Sequence, residues 1–310
     1  MESSKNIALL FPGQGSQSIG MAQPFLHLPW AKQMLEEAEE ILQTNLGQLM
    51  HSGPAETLTL TQNAQPALLL AGLLAWEYLR RQHPEITQQI AATAGHSLGE
   101  YTAVTAAGAF TFPQAMQLVK VRSQAMSKAQ GGGMLAVLGL TPEQAEQAAS
   151  QSHTTLANDN APGQIILSGA AENLEAASQA AKALGAKRVL PLNVSGAFHT
   201  PLMAQAAQAV QAQLAQTPPQ NLTIPCIMNI TAQPTQAAPQ VAQNLIAQTT
   251  GRVRWRQSME YLATQNITQL IELGSGKVLT GLASRCHPNL QCSALDSPAS
   301  IDAWLQTHFK

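Results

Sequence analysis

Charged residues are scarce in this chain of 310 residues, of which Asp, Glu, Lys and Arg make up only 11%, against about 25% in soluble proteins generally. The net charge is −2, and the lysines and arginines form no run. The sequence therefore lacks the basic patch with which proteins bind nucleic acid or an acidic membrane surface. We expect neither of them as a partner.

Long hydrophobic runs are also missing. The longest apolar stretch, residues 67–76, is too short to cross a bilayer and predicts a buried helix. The amino-terminal apolar stretch, residues 7–11, ends at a Pro-Gly pair and is too short for a signal peptide. These features predict a cytoplasmic protein without a membrane partner.

Cysteine is rare as well, with only Cys226, Cys286 and Cys292 in the chain. The number is odd and there is no C-x-x-C pair, so a disulfide framework is not indicated. Cys286, His287 and Cys292 could be imagined as metal ligands, but their spacing matches no zinc pattern. We predict reduced thiols, no metal and no bound cofactor.

Short apolar strands alternate with helices along most of the chain. This alternation predicts an α/β fold in which helices cover both faces of a parallel sheet. One long helix is predicted over residues 66–81, with Pro66 in its first turn.

The stretch after Gly131-Gly132-Gly133 has a different pattern, strand–helix–strand–strand–helix–strand, which is the ferredoxin-like order. Its middle strands are predicted to meet at a turn over residues 160–163. We predict an α/β-hydrolase-like large domain from residues 1–130 and 195–310. The glycines would act as a linker to an inserted ferredoxin-like domain at 131–194.

The sequence Gly-His-Ser-Leu-Gly at positions 95–99 fits the G-x-S-x-G pattern of a nucleophile elbow, between a predicted strand and a predicted helix. Such a serine lies on a sharp, strained turn, so the residues two before and two after it must lack colliding side chains. The helix that begins there directs unpaired N–H groups at the reacting oxygen. This pattern predicts Ser97 as nucleophile and the N–H of Leu98 as an oxyanion donor.

A serine nucleophile needs a general base, and eight histidines are available. His96 adjoins the serine, where neighbouring side chains diverge. His199 lies on a loop before a helix and follows the nucleophile in chain order. Spacing alone favours His199 without deciding. The other histidines stand among polar or turn residues that predict surface positions: His27, His51, His83, His153, His287 and His308.

The third member of a catalytic triad has no obvious candidate. Glu100 lies on the elbow helix itself, and most other acids between the serine and His199 stand on helices or turns that predict exposure: Glu143, Glu146, Asp159, Glu172 and Glu175. A Ser–His dyad, with the imidazole oriented by a backbone carbonyl, is therefore favoured over a triad.

Arg122 falls on the apolar face of a predicted helix, in line with Ala115, Leu118, Val119 and Met126. A guanidinium there cannot lose its charge and needs an anionic partner. An internal carboxylate is one possible partner. Because the chain has few acids, the carboxylate of a substrate is another.

An ordered set of motifs resembles one family, the malonyl-CoA:acyl carrier protein transacylases of type II fatty acid synthesis. The resemblance spans nearly the whole chain. Its motifs are Phe-Pro-Gly-Gln-Gly-Ser-Gln (11–17), Gln-Pro-Ala (65–67), Gly-His-Ser-Leu-Gly-Glu (95–100), Val-Arg (121–122), Pro-Gly-Gln (162–164), Phe-His (198–199) and Gly-Ser-Gly-Lys-Val-Leu (274–279).

The resemblance implies a role for each matching residue. Ser97 would attack the malonyl thioester, with His199 as general base and then general acid. The backbone N–H groups of Gln14 and Leu98 would form the oxyanion hole. Arg122 would hold the malonyl carboxylate in a two-pronged pair.

Three further residues take implied roles. Gln248 matches a glutamine whose main-chain carbonyl orients the histidine, and Gln65 would line the pocket. Phe198 resembles the residue of malonyl-selecting rather than methylmalonyl-selecting relatives. In the family a small residue and a proline usually precede Val-Arg-Trp, whereas here Gly251 and Arg252 do, so the loop around Gln248 departs from the pattern.

The resemblance implies malonyl-CoA and an acyl carrier protein as partners, with no cofactor beyond the thioester substrate. We expect a freestanding monomer. Two alternatives stay open: a trans-acting malonyltransferase of a polyketide pathway, and a proofreading acyl hydrolase with little use for Arg122. A non-catalytic binding module would have no reason to keep elbow, base and arginine together.

Overall fold

The computed structural model describes residues 6–194 and 196–308, and their strands and helices follow the alternation that the sequence predicts. The strands are β1 (Ile7–Phe11), β2 (Ile90–Gly95), β3 (Gly132–Leu138), β4 (Thr155–Ala161), β5 (Gln164–Ala170), β6 (Arg188–Pro191), β7 (Cys226–Ile227), β8 (Pro234–Thr235), β9 (Gln269–Leu273) and β10 (Gln291–Leu295). The helices are α1 (Pro29–Leu42), α2 (Leu46–Ser52), α3 (Ala55–Thr59), α4 (Thr61–Gln82), α5 (Pro84–Thr87), α6 (Leu98–Ala106), α7 (Phe112–Lys128), α8 (Pro142–Gln151), α9 (Leu174–Ala183), α10 (Ala204–Gln216), α11 (Ala238–Thr250), α12 (Trp255–Thr264), α13 (Val278–Cys286) and α14 (Pro298–His308).

The larger sheet has the strand order β10-β9-β1-β2-β7-β8. Neighbouring strands from β10 to β7 are parallel, and only the edge strand β8 is antiparallel. The sheet is therefore mixed rather than wholly parallel. Its central strands β1 and β2 end side by side, since Phe11 is paired with Gly95. The loops after them, which carry Gln14 and Ser97, consequently meet at one edge of the sheet.

The smaller sheet is antiparallel, with the order β4-β5-β3-β6. Its strands and helices follow one another as βαββαβ, and α8 and α9 cover it with alanine-rich faces. A separate apolar cluster, which includes Met126, Met134 and Phe198, joins this sheet to α7 and to the loop before α10. The small sheet thereby forms one wall beside the elbow.

Three predicted boundaries were wrong. Gly132 and Gly133 belong to β3 instead of a linker, because a Cβ on Gly132 would lie 2.6 Å from the Cβ of Ala197 and only glycine lets the strand pass there. Pro66 lies inside α4, which begins at Thr61, since the additional turn packs into the core. Strand β4 runs on to Ala161, so the turn to β5 is shorter than predicted.

The two faces of the large sheet carry separate apolar cores. The larger core packs α4, α6 and α7 against one face, and the smaller packs α12 and α13 against the other. Within the described ranges, no helix is long and apolar enough to span a membrane.

Candidate active site

Ser97 occupies a sharp turn between β2 and α6, with φ 52° and ψ −104°. This backbone conformation is strained for a residue with a side chain. The flanking glycines permit it. A Cβ on Gly95 would lie 1.9 Å from the backbone of Gly99, and one on Gly99 would lie 1.9 Å from the carbonyl oxygen of Phe11. The elbow is therefore fixed by close contact between β2, α6 and the end of β1.

The Ser97 Oγ lies 2.8 Å from His199 Nε2, and His199 Nδ1 lies 2.8 Å from the main-chain oxygen of Gln248. Because a carbonyl oxygen can only accept, Nδ1 carries the proton and Nε2 is free to accept one from the serine. Burial, and secondly the charge of Arg122, lower the pKa of His199 to about 3. The imidazole is thus a neutral base at physiological pH.

The Arg122 guanidinium lies directly behind the nucleophile. It is fully buried, and its Nη2 donates to Ser97 Oγ at 3.2 Å and to Gln248 Oε1 at 3.0 Å, while Nη1 donates to Gln65 Oε1 at 2.7 Å. It also sits over the ring of Tyr101, 4.8 Å from the centroid. Among residues 6–194 and 196–308, no carboxylate forms an ion pair with it.

A cavity of about 380 Å³ opens in front of Ser97. Six of the predicted site residues are in its wall: Gln14, Gln65, Ser97, Leu98, Phe198 and His199. Leu98 is the first residue of α6, so its N–H has no carbonyl one turn earlier within the helix. Arg122 and Gln248 are not in the wall and reach the site from behind, through their bonds to Ser97.

A family model of the acyl transferase domain matches residues 8–298. The malonyl CoA-acyl carrier protein transacylase of Bacillus subtilis is 41% identical, in a match that covers 97% of this chain and 96% of the relative. The chain belongs to the acyl transferase family.

Solved structures agree with this assignment. An acyl-carrier-protein S-malonyltransferase from Bartonella henselae superposes with a TM-score of 0.93 at 36% identity, over 97% of this chain and 98% of the other. A malonyl-transacylase in complex with a type II PKS acyl-carrier protein superposes with a TM-score of 0.92 at 35% identity, over 97% of this chain and 99% of the other.

Two polar residues of this acyl transferase support the site although neither was predicted as a site residue. Asn229, in the loop after β7, accepts from the N–H of Ser97 at 2.8 Å and donates to the carbonyl of Gly95 at 2.7 Å, so its side chain bridges the elbow. Glu100 is fully buried and accepts from the N–H of Asn229 and from Gln248 Nε2, each at 2.6 Å. Burial raises the pKa of Glu100 to about 8, against the opposing effect of these donors and of Arg122.

The signal that could have indicated Glu100 was its position as the only charged residue of the elbow helix α6. No comparable signal in the sequence indicated Asn229.

Other acids and histidines are placed away from the dyad. Asp159 was predicted to be exposed but is buried in β4, where it forms an ion pair with Arg256 at 2.8 Å. That pair ties the small sheet to α12. His96 Nε2 lies 2.7 Å from Asn160 Oδ1 and its ring packs on Trp255, so it is directed away from Ser97. Within the described ranges, no group of His, Cys, Asp and Glu could hold a metal ion.

Proposed function

We propose that this acyl transferase moves a malonyl group from malonyl-CoA to the phosphopantetheine thiol of an acyl carrier protein, in support of fatty acid synthesis. The observation that carries the proposal is Arg122, a buried guanidinium 3.2 Å from the nucleophilic oxygen that forms no ion pair with a carboxylate among the described residues. A substrate that brings its own carboxylate would supply the missing anion. The names of the relatives in Bacillus subtilis and Bartonella henselae support the same substrate.

The proposed transfer has two halves. In the first, Ser97 Oγ attacks the thioester carbonyl while its proton passes to His199 Nε2 along their 2.8 Å contact. The tetrahedral oxyanion is held by the N–H groups of Leu98 and Gln14. Its collapse breaks the carbon–sulfur bond, and the CoA sulfur takes the proton from His199. Malonyl-Ser97 remains.

In the second half the carrier thiol gives its proton to His199 and attacks the acyl carbon. Collapse then returns the proton to Ser97 Oγ. Gln248 supports both halves, because its main-chain oxygen fixes the tautomer of His199. Gln65 and Phe198 shape the cavity that receives the acyl group.

We also propose that the chain forms two domains. The βαββαβ order and the sheet order β4-β5-β3-β6 support a ferredoxin-like small domain over residues 131–194. We propose an α/β-hydrolase-like large domain over residues 1–130 and 195–310. We further propose that the enzyme is a cytoplasmic monomer and uses no cofactor besides the CoA thioester.

A polyketide carrier is the second candidate acceptor. The complex of a type II PKS acyl-carrier protein with its malonyl-transacylase favours it, since that enzyme has the same fold at 35% identity. The chemistry at Ser97 would be the same, and only the surface that meets the carrier would differ.

Incubation with malonyl-CoA and holo carrier protein, followed by mass measurement of the carrier, tests the proposal. We expect the carrier to gain one malonyl group. Free malonate with an unmodified carrier would instead identify a hydrolase. Parallel incubations with fatty acid and polyketide carriers separate the two acceptors by their kcat/KM.

A further inference from the structure

Glu100 is a buried carboxyl group that the transfer chemistry does not use. It lies on α6, is fully buried and makes no direct ion pair with Arg122 in the part of the chain that the structure describes. Its two oxygens instead accept from Gln248 Nε2 and from the backbone N–H of Asn229. A buried carboxyl group with two such short contacts needs a reason to be there, because its burial is costly.

The first contact fixes which way the Gln248 side-chain amide points. Nε2 donates to Glu100 Oε2 at 2.6 Å and to the carbonyl of Ser97 at 2.7 Å, so both nearest groups on that side are acceptors. The amide oxygen must therefore face the other way, where it accepts from Arg122 Nη2 at 3.0 Å. With the amide reversed, its NH₂ group would face the guanidinium, and two donors would oppose each other.

The second contact positions the loop that clamps the elbow. The N–H of Asn229 donates to Glu100 Oε1, and the side chain of the same residue bonds both Gly95 and Ser97. Glu100 thus lies behind two supports of the site: the amide that holds the arginine and the loop that holds the strained serine.

We propose that Glu100 is a positioning residue that acts through the side chain of Gln248 to hold Arg122 in place for the acyl carboxylate. The carboxyl group of Glu100 accepts a hydrogen bond from the amide nitrogen of Gln248 and so fixes the orientation of that amide. The amide oxygen of Gln248 then accepts from Arg122 and holds the guanidinium in place. This inference rests on the proposed malonyl specificity. It assigns Glu100 no contact with the substrate.

The experiment compares two acylations of Ser97, by malonyl-CoA and by p-nitrophenyl acetate, which has no carboxylate. Glu100→Gln keeps the shape but replaces one acceptor oxygen by an NH₂ group. We expect kcat/KM for malonyl-CoA to fall about 10- to 100-fold, the range for losing one hydrogen bond to a charged group. The loss with p-nitrophenyl acetate should be clearly smaller. Equal losses with both substrates would overturn the proposal, since a merely structural role would lower both alike.

A double-mutant cycle tests the route through Gln248. Gln248→Ala removes the amide but keeps the main-chain oxygen that orients His199. In that background Glu100→Gln should lower malonyl acylation no more than acylation by p-nitrophenyl acetate, because only the contact with Asn229 is left to lose and residues that act through one contact are not additive. Fully additive losses would refute the route. If Glu100→Gln does not fold, the same cycle with Glu100→Asp, which keeps the carboxyl group at a shorter reach, gives the same decision.

Glu272 provides a matched control. It is also fully buried, and it accepts from the N–H groups of Leu279 and Thr280; within the described ranges it forms no hydrogen bond with the dyad or with Gln248. Glu272→Gln should affect both acylations equally and show no coupling to Gln248→Ala. Because p-nitrophenyl acetate reports acylation of Ser97 without a carboxylate, a failure of this inference can be told apart from a failure of the proposed function. Failure of the wild-type enzyme to transfer malonyl refutes that function, whereas failure of the Glu100 cycle with an active wild type refutes only this inference.

Discussion

Replacing Arg122 by methionine should remove carboxylate recognition while largely keeping the volume of the side chain. In our proposal the malonyl carboxylate takes two hydrogen bonds from the guanidinium. Hydrogen bonds to a charged group contribute about 1.5–3 kcal/mol each. The loss of two therefore costs about 3–6 kcal/mol, which lowers kcat/KM for malonyl-CoA by roughly 150-fold to 10⁴-fold.

Acetyl-CoA offers no carboxylate, so its transfer loses only the 3.2 Å bond from Arg122 to Ser97 Oγ. A single long bond of this kind predicts a loss of about tenfold or less. The variant should consequently prefer acetyl over malonyl relative to the wild type. Arg122→Lys is the matched control, because it keeps the charge without the planar guanidinium. We expect its malonyl activity to lie between that of the wild type and that of the methionine variant.

The assay is the acylation of Ser97 in a single turnover, followed by intact-protein mass with each CoA ester. Because Gln65 and Gln248 lose a donor in the methionine variant, its melting temperature is measured first, and rates are compared well below it. If malonyl and acetyl transfer fall by the same factor, Arg122 is a structural residue and the substrate assignment fails.

Three further outcomes follow from the geometry. The lowered pKa of His199, about 3, keeps its imidazole neutral, so the rate of Ser97 acylation should stay flat from about pH 7 to about pH 4; a fall centred near 6.5 would contradict it. Gly99→Ala places a Cβ 1.9 Å from a backbone oxygen of β1, so we expect it to lower the free energy of unfolding, measured by urea titration, by about 3 kcal/mol. Gly281→Ala is the control, because a Cβ at that position of α13 meets open space. It should leave the free energy of unfolding unchanged or raise it by up to about 1 kcal/mol. Arg256→Ala breaks the ion pair with a buried aspartate and should lower the free energy of unfolding by about 2–3 kcal/mol. Arg252 is paired with a half-exposed glutamate, so Arg252→Ala should lower it by about 1 kcal/mol or less. Equal losses in the two variants would show that burial of the carboxylate does not matter.

Some site residues could be predicted because their chemistry depends on local sequence. The glycines at 95 and 99 are needed because a Cβ at either position would collide with backbone atoms of the same tight turn or of the adjacent end of β1. Arg122 stood out because helical spacing placed a charge among apolar residues, and the structure buries it fully. A carbonyl was expected to orient His199, and the oxygen of Gln248 lies in that place.

Other features could not be predicted because they depend on packing between distant segments. Asp159 looked like a turn residue, but β4 extends past it and α12 brings Arg256 to it. Gly132 looked like a linker residue, but it lies inside strand β3. Glycine is required there because Ala197 packs too closely to leave room for a Cβ. In both cases local propensity was overruled by a contact that no short stretch of sequence contains.

The sequence by itself determined the nucleophile, its elbow and the alternation of strands and helices, because backbone sterics and hydrophobic periodicity act over a few residues. Only the tertiary structure decided that Glu100, Asn229 and Gln248 meet behind Ser97. Their bonds join positions more than a hundred residues apart. Buried polar groups must find partners wherever the packed chain puts them, and that requirement becomes visible only when the sheet and its helices have brought those positions together.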